Sequence, residues 1–469
     1  MQAATTSQQQ PALRKELGLR DLVLAQVLCV VGSTWVGVAA KLGRSEAAFW
    51  LGAMALFYLP LAVVVIYLNR LMPLEGGLYQ WAKEGFGEMA GFLTAWNLWV
   101  YAIVSTGSII FVIPTDLYYM LGPSAAWIPA SKLATLALTG TVMAAIAVVA
   151  IRGLDIGKWL HNIGSILILA AYAILLALPI WALLRGRITH YEPIPWQTPK
   201  LDWFGIAIFG QMTVGALSGF EYVAILAGEC KSAARTIGQS VVISAPIICL
   251  MFILGTSSVL TFLGGQPINV IGPIPQTLRA AAGHSAFANE AAPFAIALLI
   301  ARAIAAASLL LTGLTRLPMT AGWDHLAPAW FARLHPQRRT PVNSILFVTA
   351  TVMAVILLSM LGVREQEASQ LLANASIVHY AIAYVALFAI PVFGMRRLRA
   401  ALPTWLKIAA AAGMGASAIS LFIAVYPVVD VVSRMAYAAK ISSVVIVTNI
   451  AGVALYRAGK RALASANRI

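Results

Sequence analysis

A helix of about twenty apolar residues is long enough to cross the ~30 Å of hydrocarbon in a bilayer, and no water-soluble fold can accommodate many such runs. In this chain of 469 residues they recur from residue 19 almost to the end. Twelve are predicted, at 19–42, 47–69, 86–120, 132–151, 157–184, 204–228, 238–262, 291–316, 341–361, 367–395, 405–428 and 436–457. A soluble core could not absorb a chain that is 60% hydrophobic and 10% charged, with mean hydropathy +0.84. The expectation is an all-α integral membrane protein of twelve spans seated in the lipid bilayer.

The polar head, MQAATTSQQQPALRKELGLRD, lacks the charged, apolar and cleavage regions of a signal peptide, so residues 1–18 read as a cytoplasmic tail. A net charge of +15 raises the question of a nucleic-acid partner, and its distribution argues against one. With the N-terminus placed inside, Lys and Arg fall about two to one on the inner loops, which is the pattern that sets membrane topology. Both termini are then cytoplasmic, in a bacterial-type inner membrane. The three cysteines, Cys29, Cys230 and Cys249, show no CxxC spacing, so no disulfide framework, metal site or cofactor is expected.

Two of the runs carry features that a plain anchor does not need. The sixth, FGIAIFGQMTVGALSGFEYVAILAG (204–228), holds Gly210, Gly215 and Gly219 and, just after Phe220, the carboxylic acid Glu221. A mid-helix glycine costs roughly 1 kcal/mol relative to alanine, and an ionisable group near the bilayer centre costs about 2.5 kcal/mol or more. The first run has Gly32, Ser33, Thr34 and Trp35 at its middle, followed by Gly37. These residues suit either a broken helix or a small-residue packing groove. Gly32 and Gly215 lie 183 positions apart (215 minus 32) in the leading helices of two sets of five spans, 19–184 and 204–397, joined by the outer loop 185–203. With an odd number of spans per set, the second set must enter the membrane upside down. That is an inverted repeat with binding at the shared interface, and the last two spans, within 398–469, are additional.

Between spans two and three, the run Pro73, Glu75-Gly76-Gly77, Tyr79, Trp81, Phe86-Gly87, Gly91-Phe92, Trp96 and Trp99 resembles the second-to-third helix signature of the amino acid-polyamine-organocation (APC) superfamily of permeases. Gly219-Phe220-Glu221 through Ala227-Gly228-Glu229 to Arg235 is similar to that superfamily's sixth-helix motif, and Gly32-Ser33-Thr34 to its first-helix bend. Arg316 with TAGWDHLAP (320–328) is similar to the ending of its eighth helix. The likeness covers roughly residues 15 to 400. It implies a five-plus-five inverted-repeat fold with discontinuous helices one and six, alternating access, and a small amino acid or amine as substrate. By the same likeness, the backbone of Gly32, Ser33 and Thr34 holds a substrate carboxylate, and Gly215, Ala216, Leu217, Ser218 and Gly219 receive the amino group or a second polar end. Two departures bear on the substrate. Thr34 stands where a third glycine is usual, with bulky Trp35 following it, and Gly215 stands where many members carry an aromatic gate. Either the pocket is wider than usual, or Trp35, Phe220 or Tyr222 takes over the gate.

Sixteen of the seventeen acids can be placed in loops or at helix ends, with Asp116 the hardest to place; Glu221 is the exception. Glu221 is either a proton carrier or substrate-amine contact, or a neutral acid bonded to backbone at the bend. Arg302, inside span eight, is either a fixed positive charge near the site or a side chain that reaches outward to a loop acid. The lysine that some proton-coupled relatives carry on the fifth helix is replaced here by Ile168. His379 reads as a packing residue or a proton relay, and Ser308 as a weak pointer to a sodium-like position. The loops 190–200 and 264–278 are expected outside, over the vestibule. No cluster of nucleophile, acid and base shares one depth, so an enzyme is not expected. The expected activity is secondary transport driven by a proton; the rivals are an obligate exchanger working against a second solute and a receptor that binds without cycling.

Overall fold

The computed structural model describes residues 18–72, 77–219, 233–282, 286–320, 326, 330–331, 333–393 and 402–466. Every regular element among them is helical. Ten helices are long and apolar enough to cross a membrane: Gly43–Leu71, Glu88–Leu121, Lys132–Arg152, Asn162–Leu184, Thr236–Leu263, Glu290–Thr315, Val342–Ser359, Glu365–Phe393, Thr404–Ile423 and Arg434–Ser465. The half-helices Leu19–Val30 and Ser33–Ala40, bent by 48° at their junction, form an eleventh span. The shorter apolar helix Trp203–Ala216 stands at the place of span six. These segments follow the twelve runs in order.

Burial sorts the spans into a centre and a periphery. Of span three's most apolar window 78% is buried, against 11% of the last span's, so the last span is the one most open to lipid. The two most extensive packings between spans are three with ten and five with eight. Each becomes the other when the two sets of five are exchanged. Span seven packs along both halves of span one, and span eleven packs on spans two, six and ten. Gln26 on the first half-helix donates to Ser240 (2.8 Å) and accepts from the hydroxyl of Ser244, fastening it to span seven inside an apolar bundle.

At the end of the bundle that the charge bias assigns to the outside, a helix Pro273–Ala282 lies across spans one and three. Pro273 sits against Gly37 so closely that a Cβ added there would be 2.5 Å from it. Arg279 donates to the carbonyls of Tyr119 and Met120, which end the helix of span three, and Arg187 donates to those of Ala281 (3.4 Å) and Ala282 (3.1 Å). Over part of the loop 264–278 expected to cover a vestibule there thus lies a helix packed on spans one and three, held at its Pro273 end by Gly37 and at its other end by arginine–carbonyl bonds. The loop 190–200, also expected outside, is tied down by Arg44 to Glu192 (2.8 Å) and by the Ser257 hydroxyl donating to the Glu192 carbonyl (2.6 Å).

Candidate functional site

Span one parts between Val31 and Gly32, both in extended backbone conformation. A broken helix leaves carbonyls without partners on one side and N–H groups without partners on the other. The carbonyl side is occupied. Arg302, 7% exposed, donates from Nη2 to the carbonyls of Leu28 (3.0 Å) and Val31 (2.6 Å), and the Tyr172 hydroxyl reaches the Gly32 carbonyl (3.3 Å). These contacts keep the Arg302 side chain inside the bundle. A cation there answers the negative end of a helix. The N–H side belongs to Ser33, Thr34 and Trp35, which open the half-helix Ser33–Ala40. The positive end of a helix favours an anion, and these are the N–H groups assigned to a carboxylate.

Span six begins where Asp202 accepts the Gly205 N–H (2.7 Å), runs as α-helix to Gly210 and widens into a π-helical turn over Gln211–Ala216. Such turns recur at functional sites because one wider turn re-aims the residues that follow it. Thr213 meets the Ser420 hydroxyl (2.8 Å), and Gly210 lies against Ile423 and Ser420, so span eleven supports this turn. The chain then leaves helical geometry through Leu217 and Ser218 to Gly219, whose φ of +110° is a conformation that favours glycine. The Gly219 N–H donates to the Tyr384 hydroxyl of span ten (3.3 Å). The interruption therefore falls later than the glycine spacing suggests: Gly215 is still helical, and Leu217 to Gly219 make the departure. Ala216, Leu217 and Ser218 are buried. Phe220 and Glu221, the remaining assigned residues of this bend, lie outside the described residues, as does Tyr222.

Gly215 has a different use. A Cβ there would stand 2.8 Å from Cη2 and 3.0 Å from Cζ3 of Trp35, and 2.9 Å from Ile377. A Cβ on Gly32 would stand 2.8 Å from Cδ1 of the same indole. The two glycines that headed the sequence halves are thus in contact with one ring, that of Trp35. Gly219 lies opposite Cys29, its would-be Cβ 3.6 Å from the Cys29 Cβ. The two breaks face each other.

Other residues reach this region that the sequence did not single out. Tyr101, Tyr380 and Tyr384 form a stacked column with ring centroids 3.6 and 4.4 Å apart, and Phe57 meets Tyr384 edge-on at 5.3 Å. The available signal was the placing of polar-tipped aromatics mid-span, where each hydroxyl needs a partner. His379 is enclosed and bonded at both ring nitrogens, Nδ1 to the Ala375 carbonyl (2.7 Å) and Nε2 to the Thr448 hydroxyl (2.8 Å). A carbonyl only accepts, so Nδ1 donates, and the two bonds tie span ten to span twelve. Ser308 lines a small cavity of about 40 Å³ with Thr312, Thr315 and Thr340. Among the acids, Glu46 and Asp116 do stand at or near helix ends and yet are buried, 0% and 1% exposed, with Glu46 lacking a partner on either carboxyl oxygen and Asp116 on Oδ1.

A bundle of apolar spans, one broken at its middle with a buried guanidinium on the exposed carbonyls and another leaving helical geometry opposite it, defines a multi-span membrane permease rather than an enzyme. Residues 21–453 match the family described as amino acid permease, and the chain belongs to that family, within the superfamily its helix motifs resemble. It is similar to an uncharacterized transporter of Legionella pneumophila, 25% identical over 55% of each chain. An uncharacterized transporter of Mycobacterium tuberculosis is 24% identical over 73% of this chain and 74% of the relative. A probable agmatine/putrescine antiporter of Lactococcus lactis is 20% identical over 51% and 50%. The chain thus spans about half the length of two of these three relatives.

Proposed function

We propose that the protein carries a small amino acid or related amine across the cytoplasmic membrane by alternating access, with a proton as the driver. The observation that carries this reading is the meeting of the two breaks: Gly32 and Gly215 against one indole, and Gly219 across from Cys29. The N–H groups of Ser33 and Thr34, with the backbone of Gly32, take the substrate carboxylate. Gly215 to Gly219 take the amino group or a second polar end, and Trp35 and Phe220 close over them. Glu221 carries the proton, on the strength of its place in an apolar run. The guanidinium of Arg302 supplies a permanent positive charge at the first break, so no sodium ion is needed there. Residues 19–184 and 204–397 act as inverted halves that rock about this centre, a reading supported by the exchange symmetry of the span packings. Both termini face the cytoplasm, as the charge bias indicates.

A second reading, obligate exchange of two solutes without a proton, is favoured by the printed function of the Lactococcus relative. Counterflow of amino acids and polyamines into proteoliposomes, with and without a pH gradient, separates the two. Proton-driven transport accumulates solute when a gradient is imposed, whereas an exchanger needs solute on both sides and ignores the gradient. Binding with no accumulation in either arm would leave a receptor. Glu221→Gln is expected to remove the pH dependence of uptake; an unchanged profile would exclude Glu221 as the proton carrier.

A further inference from the structure

Beneath the outer cap, two buried side chains of opposite charge each keep a polar atom without a partner. Asp116 lies in the last helical stretch of span three, Ile113–Leu121, and its Oδ1 has no hydrogen bond. Arg302 lies on span eight with its Nε likewise unbonded. Their helices pack together. The backbone of the cap approaches the same carboxyl, since a Cβ on Gly272 would be 3.3 Å from Oδ1. The remaining charged groups around it are committed elsewhere. Arg279 of the cap holds the Tyr119 and Met120 carbonyls, Lys132 of span four holds the Met360 carbonyl, and Glu365 of span ten accepts the Thr115 hydroxyl. Tyr119, on Asp116's own helix, meets Asn269, and Tyr172 of span five donates to the Gly32 carbonyl.

A carboxylate in so dry a place needs a cation, and among the described residues Arg302, on the span packed against it, is the buried one. In this structure Nη2 of Arg302 is spent on two carbonyls, which carry only partial charge. A hydrogen bond to an ionised acceptor is roughly twice as strong as one to a neutral acceptor, so a charged Asp116 outbids those carbonyls for the guanidinium.

We propose that Asp116 is a proton-exchanging carboxyl that decides which of two partners holds Arg302. As the acid, it leaves Arg302 on Leu28 and Val31 and the first half-helix pinned, the arrangement seen here. When the cap lifts, the O–H bond of the acid breaks and its proton passes to external water. The carboxylate then draws Arg302 off the carbonyls, and the half-helix Leu19–Val30 is free to swing. Acidity outside the cell thereby favours the closed outer end. The gating half of this statement rests on the alternating-access reading; the proton site itself does not.

The test uses the full-length protein in lipid nanodiscs and proteoliposomes. Infrared difference spectra between acidic and alkaline buffer should show the carbonyl stretch of a protonated carboxylic acid that disappears at alkaline pH. This band is expected to be lost in Asp116→Asn, shifted in frequency in Asp116→Glu and kept in Glu46→Gln, the control for the other buried acid. In a cysteine-free background carrying Thr34→Cys, labelling by a membrane-impermeant maleimide from outside, divided at each pH by the rate of a fully exposed reference cysteine to remove the thiol's own titration, should speed up about tenfold from acid to alkaline pH, and this ratio should stay low and flat once Asp116→Asn is added. A titrating band unmoved by both Asp116 variants, or a labelling ratio that keeps its pH dependence in Asp116→Asn, overturns the proposal. The Asp116→Glu spectrum decides the matter if Asp116→Asn does not fold. Counterflow in the same vesicles separates the two readings. Solute exchange with an unmoved band removes only Asp116's role, whereas a band that follows Asp116 without any solute movement removes the carrier reading and leaves the proton site.

Discussion

Single residues decide what the central site can hold, and Trp35 and Gly215 show this most directly. Any side chain at 215 begins 2.8 Å from the indole, so Gly215→Val must displace the ring or the π-helical turn. Overpacking of this kind costs about 1–3 kcal/mol, and the expected outcome is initial-rate uptake reduced about tenfold or more, with protein that still purifies as a single species. Trp35→Ala combined with Gly215→Phe restores the aromatic from the other side and should recover uptake that each single change loses. Arg302→Met leaves the Leu28 and Val31 carbonyls unmet at about 1–3 kcal/mol each, so its melting temperature should fall by several degrees in a thermal unfolding assay. Arg302→Lys, a single ammonium without the guanidinium fork, should fall between it and the native protein. At this scale the sequence was legible only in part. Glycine announces room without saying what fills it, so Gly215 read as a bend and turned out to be the seat of an indole. Asp116 and Glu46 read as helix-end acids because a helix end looks exposed in one dimension; in space, neighbouring segments cover both ends.

Elements were the most legible scale, because hydropathy over twenty residues fixes a membrane helix almost without tertiary help. Each of the twelve runs corresponds to a helix, and the first is broken at the foreseen place. What hydropathy could not supply is where a span stops being helical. Span six leaves its helix at Leu217 rather than at Gly215, because Thr213 and Ser420 hold the turn between them and the strain is taken up at Gly219. Tyr384 meets the Gly219 N–H there, a pairing 165 residues apart in sequence that no local pattern predicts. Tyr384→Phe removes the acceptor and costs about 0.5–1.5 kcal/mol at the bend. The expected reading is a severalfold rise in the substrate concentration for half-maximal uptake, with Phe57 and Tyr380 keeping the ring in place.

For the whole molecule, the decisive contacts are those that join the two sets of spans. Span ten on span three and span eight on span five knit each set to the other, while the last span stands largely in the lipid. Such wholesale arrangement was visible in the sequence only as equal lengths and an odd helix count, since pairing between distant spans leaves no periodic trace. The outer cap spans this architecture: it rests on span one through Pro273 and on span three through Arg279. Arg279→Ala should loosen it, seen as several times faster outside labelling of Thr34→Cys in a cysteine-free background, with little change in the amount of folded protein. In the proposed orientation and cycle, a helix that lifts to admit cargo from outside is also a handle. An antibody fragment raised against residues 265–282 and gripping them in the lowered position would arrest the permease from the cell surface, with no need to fit the space where its cargo travels.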